Sequence, residues 1–74
     1  MKRLELIGNG NSLSEPILIG REILEVSVDG FGRSKLLISG TPVDKEVLYD
    51  SISGTLTFPE SLNGEQVFIL YQDA

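Results

Sequence analysis

A chain of 74 residues has room for one domain, and with roughly 60–65% of its extended surface hidden on folding its core is thin. It holds no cysteine and no histidine, which excludes disulfides, thiolate zinc sites and cysteine nucleophiles and removes the commonest metal ligand and general base. Six basic residues against eleven acidic give a net charge of −5, which repels a phosphate backbone and makes nucleic acid an unexpected partner.

The apolar content is Leu, Ile, Val, Phe and Tyr, with eight glycines and Ala74 as the only alanine. That composition suits strands better than long helices. Arg3 to Ile7 sets Leu4 and Leu6 against Arg3 and Glu5, the period-2 pattern of a half-buried strand. Met1-Lys2-Arg3 looks like the start of a signal peptide, but Glu5, Gly8 and Asn9 interrupt the apolar stretch that should follow. Synthesis in the cytoplasm is therefore expected. No apolar run approaches the ~20 residues that cross a bilayer, so no membrane partner is expected either.

Gly8 to Ser12 reads as a turn. Pro16 to Ile19 is predicted as a short strand with proline at its start. A short amphipathic helix over Ser14 to Leu24, capped by Ser14 with Pro16 just inside, competes with that reading. Gly20 and the β-branched Ile17, Ile19 and Ile23 weigh against it. Ile23 to Val28 is the next strand, with Leu24, Val26 and Val28 on one face and Glu25 and Ser27 on the other. Asp29-Gly30 ends it, and a loop runs on to Lys35. Leu36-Leu37-Ile38 is a continuous apolar run, expected to be a central strand covered on both faces.

Gly40-Thr41-Pro42 breaks the chain before Glu46 to Tyr49. Asp50 to Gly54 then separates Val47-Leu48-Tyr49 from Thr55-Leu56-Thr57-Phe58, which predicts a β-hairpin with Gly54 at positive φ. Leu56 and Phe58 should face inward, and Thr55 and Thr57 outward. Pro59 to Glu65 is a connection with Asn63-Gly64 as its tight turn, and Val67 to Tyr71 is the last strand. Turn signals at about ten-residue spacing mark an all-β fold, a small antiparallel β-sandwich or barrel of about six or seven strands.

Little in the chain carries chemistry. Gly8-Asn9-Gly10-Asn11 lacks the lysine, hydroxyl and helix of a phosphate-binding loop. Asp29, Asp44 and Asp50 lack the alternating spacing of a calcium loop and serve as turn formers. Glu22 with Glu25, or Glu60 with Glu65, would need a substrate cleft that so small a domain can hardly supply. The Ser and Tyr hydroxyls have no histidine to activate them. No enzyme activity, metal or cofactor is expected.

Two features point to partners instead. The loop Gly30-Phe31-Gly32-Arg33-Ser34-Lys35 puts an aromatic between two glycines and follows it with cations. Phe31 and Arg33 would suit a protein interface, unless Phe31 folds back as a lid on the core. In the last strand Phe68 and Leu70 lie opposite Val67, Ile69 and Tyr71, so one set fills the core. The other set must be covered, by a second layer of the same domain or by a neighbouring subunit. With no disulfide or metal, oligomerisation or docking on something larger is the remaining way to supplement a thin core.

The stretch Val47-Leu48-Tyr49-Asp50, Ser53-Gly54-Thr55-Leu56-Thr57-Phe58 and Leu62-Asn63-Gly64-Glu65-Gln66-Val67-Phe68-Ile69-Leu70-Tyr71 resembles small β modules of tailed-bacteriophage virion proteins. Val26 to Gly30 fits the strand and turn that often precede them. The resemblance covers about the C-terminal two thirds of the chain. It implies a non-enzymatic structural part of a head, neck, tail or fibre, present in symmetric copies and located in the virion. It carries over no catalytic or metal residue. The expectation is thus a structural protein that self-associates or docks on a larger assembly, with Phe31, Arg33, Phe68 and Leu70 as contacts. A small-ligand or carbohydrate-binding module is the alternative, weakened by the lack of tryptophan.

Overall fold

The computed structural model describes residues 1–33 and 35–73. Its strands are β1 (Lys2–Ile7), β2 (Ser12–Ser14), β3 (Arg21–Val28), β4 (Phe31–Gly32), β5 (Lys35–Leu37), β6 (Glu46–Asp50), β7 (Thr55–Thr57) and β8 (Gln66–Asp73). They form two four-stranded sheets, the first in the order β1-β8-β3-β4 and the second β2-β7-β6-β5. The all-β expectation holds. The described strands number eight where six or seven were predicted, and no closed barrel forms. Nor is every pair antiparallel, because β5 runs parallel to β6.

Period-2 alternation gives both sheets an inner face. Ile23, Val26 and Val28 of β3 and Val67, Ile69 and Tyr71 of β8 meet Val47 and Tyr49 of β6 and Leu56 of β7 in one buried cluster. Leu18, Phe58 and Leu62 enter it from the connections, each fully or almost fully buried. Leu4, Leu6 and Leu13 pack on its margin. Leu56 and Phe58 point inward as expected, and Gly54 has φ +69°.

The chain crosses from the first sheet to the second between β1 and β2, and that side of the molecule is tied shut. The Gly8 amide donates to the Glu65 carbonyl at 2.7 Å, Leu62 to Gly10 at 2.8 Å and Phe58 to Asn11 at 2.7 Å. Gly8 is buried, and a Cβ there would lie 2.0 Å from the Leu62 carbonyl oxygen. Only a residue without a side chain permits the two backbones to approach so closely. The predicted turn therefore ends one residue early, because Ser12 already belongs to β2 and pairs with Thr57.

Four readings of local structure need correction. Pro16 to Leu18 is a turn of 3-10 helix, not a strand, with Leu18 N–H donating to Glu15 and Ile19 N–H to Pro16. One such turn drops Leu18 into the core and leaves Ile17 and Ile19 outside, an alternation that mimics a strand. The competing helix over Ser14 to Leu24 is present only as this one turn. In β3 the pairing with β8 shifts between Ile23 and Glu25. This bulge turns Leu24 out to 42% exposure, so Ile23 takes its place beside Val26 and Val28.

The run Leu36-Leu37-Ile38 is an edge, not a centre. β5 is the last strand of its sheet, and Ile38 beyond it is 88% exposed. The loop after Asp29-Gly30 begins as a strand, since β4 pairs with β3 across a two-residue hairpin. Both central residues have positive φ, 52° and 86°, as a type I′ turn requires. Ser34, also in the predicted loop, lies outside the described residues.

Candidate functional site

The outer face of the first sheet is built by register. β8 sits between β1 and β3, and its inward residues are Val67, Ile69 and Tyr71. Phe68 and Leu70 therefore stand on the outer face, half-buried among their neighbours. Pairing puts Arg3 and Glu25 on either side of Leu70, and Glu5 and Ser27 on either side of Phe68. Each flanking residue is one strand spacing, about 4.8 Å, from the centre.

The Arg3 guanidinium lies 4.4 Å from the centroid of the Phe68 ring, in cation–π range, and 3.5 Å from Glu5. Its side chain remains 57% exposed. Arg3, Glu25, Ser27, Gly30, Phe68 and Leu70 together line a shallow groove of about 260 Å³. The result is a two-residue apolar centre whose Leu70 row has a cation on the β1 flank and a carboxylate on the β3 flank, while the Phe68 row has Glu5 on the β1 flank and Ser27 on the other. Chemically it can take up an apolar surface that carries the same charges in mirrored order.

Phe31 and Arg33 are not presented together. Phe31 is 74% exposed at the outer edge of the first sheet, so it does not lid the core. Arg33 folds back instead. Its side chain is only 9% exposed, bound to Glu60 at 3.0 Å and set 5.6 Å from the centre of the Phe58 ring. Its backbone amide also donates to the Val26 carbonyl at 2.9 Å. The lidding role considered for Phe31 thus belongs to Arg33.

Sequence reasoning overlooked Arg3, Ile38 and Ile52 as surface features and weighed Glu25 only as an exposed carboxylate beside Glu22. Arg3 and Glu25 become significant only through their register with Leu70. Ile38 and Ile52 are 88% and 86% exposed and flank a groove of about 360 Å³ over Leu48. The signal for Ile52 was its place in the turn: Asp50 Oδ1 accepts the Ile52 amide at 3.0 Å, which holds the side chain outward. A smaller cleft of about 160 Å³ opens between β3 and β5, lined by Leu24, Arg33, Leu36 and Val47.

Several of the polar groups weighed for chemistry are engaged within the fold. Asn63 Oδ1 accepts the Gly10 amide at 2.6 Å and the Glu65 carbonyl accepts that of Gly8, so both glycine donors of the Gly8–Asn11 turn are spent internally. Asp29 Oδ1 accepts the Gln66 amide at 2.9 Å, and Glu22 accepts from the Gln72 side chain. Among the described residues no three acidic side chains gather in a metal-holding arrangement. No helix among them is long and apolar enough to cross a membrane. In comparisons with protein-family models, curated proteins and solved structures, the chain matches none.

Proposed function

We propose that this chain is a non-enzymatic assembly protein that self-associates, its two sheets forming the layers of a small β-sandwich. One observation carries the reading. β8, which is paired on both sides in the first sheet, bears large apolar side chains on both faces, and only its inner set is buried. A sheet face exposed to water normally alternates to polar residues, whereas Phe68 and Leu70 interrupt that alternation. Phe31, exposed at the edge of the same sheet, adds further apolar surface there. The resemblance to tailed-phage modules supports a place in a virion, where symmetric copies are usual.

Static light scattering over a dilution series tests the proposal. A weight-average mass that rises with concentration and reverses on dilution supports it. A monomeric mass at every concentration overturns self-association.

A further inference from the structure

We propose that the contact between copies is the outer face of the first sheet, packed face to face on a second copy about a two-fold axis along β8. This rests on the self-association argued above and names its surface and register. A two-fold axis lying in the contact plane turns the second copy over, so its β3 flank meets the first copy's β1 flank. Leu70 then meets the partner's Leu70, Phe68 meets the partner's Phe68, and Arg3 meets the partner's Glu25.

Charge decides the occupant. The face has a cation on the β1 side and a carboxylate on the β3 side of the same row. That is the arrangement a two-fold contact makes self-complementary, since each copy supplies the charge the other lacks. Arg3 already lies over the Phe68 ring. Any body covering Phe68 takes the Arg3 guanidinium further from water. There its 3.5 Å contact with Glu5 leaves most of its donors to be matched, and an incompletely paired buried charge is unfavourable. The partner's Glu25 meets this need on both halves of the interface at once. Glu22, which follows in register with Gln72 on the same flank, extends the acidic side.

Two charge reversals and their mixture test the register. Arg3→Glu sets carboxylate against carboxylate twice per dimer, and Glu25→Arg sets cation against cation twice. Each variant alone is expected to associate about tenfold or more weakly than wild type. An equimolar mixture of the two restores association, because both contacts then pair opposite charges. Circular dichroism of each variant confirms that the fold persists, as both sites are on the surface. If either single variant associates as wild type does, or if the mixture does not recover, this interface is wrong while self-association stands. If wild type itself never associates, the reading beneath it fails.

Discussion

Tyr49 does the work of a tie between layers. Its ring fills the core from β6, and its hydroxyl lies 2.5 Å from the Leu18 carbonyl and 2.9 Å from that of Arg21. The hydroxyl donates to this pair, joining the second sheet to the 3-10 turn and the start of β3. Tyr49→Phe keeps the packing and orphans the carbonyls, so it should cost about 1–3 kcal/mol in urea unfolding. An unchanged midpoint would mean that water satisfies those groups equally well. Gly54 is constrained twice, by φ +69° and by the Glu15 carbonyl oxygen 2.4 Å from where a Cβ would sit. Gly54→Ala should therefore lose about 2–4 kcal/mol, from left-handed strain and overpacking together. A loss below 1 kcal/mol, the ordinary effect of a surface change, would contradict that geometry.

Pairing ranks the strands by stability. β8 is hydrogen-bonded on both sides along most of its length, to β1 and to β3. β4 covers only Ser27 and Val28, and β5 pairs through three residues at the end of its sheet. Amide hydrogen exchange should be slowest in β8 and fastest in β4 and β5. Protection in β5 equal to that in β8 would show that its outer edge is covered. The elements legible in the sequence were those held by backbone chemistry: the Asp50–Gly54 hairpin, the Asp29-Gly30 turn, and the alternation in β1 and β8. Those misread depend on neighbours. Leu36-Leu37-Ile38 has the composition of a buried strand, yet burial comes from flanking strands, which its edge position lacks. The bulge at Leu24 arises from the pairing of β3 with β8, and one extra residue reverses which side chain is outside. The candidate site was half legible for the same reason. Phe68 and Leu70 followed from period 2, whereas Arg3 and Glu25 required the pairing of β8 with its two neighbours.

At the scale of the whole molecule, the two sheets share one core that is closed on one side and short-edged on the other. The crossing at Gly8–Asn11 binds the first side through backbone hydrogen bonds. On the other, β4 and β5 are only two and three residues long. Short edge strands discourage uncontrolled strand addition, and Lys2, Arg3 and Glu5 place charges along the β1 edge in the same way. Under the proposed self-association this architecture leaves the faces as the contact, where β8 holds Phe68 and Leu70 outward. A small domain gains most from a partner that covers such a surface, because its own core is limited by size. Polar substitution at Phe68 and Leu70 should then abolish association with the fold intact, whereas Ile52→Lys should leave both unchanged. Sedimentation equilibrium of the wild-type chain beside a Phe68→Gln, Leu70→Gln variant is the most direct measurement. The account predicts a concentration-dependent mass for the wild type and a monomer for the variant; equal association of the two, or a wild type monomeric throughout, would contradict it.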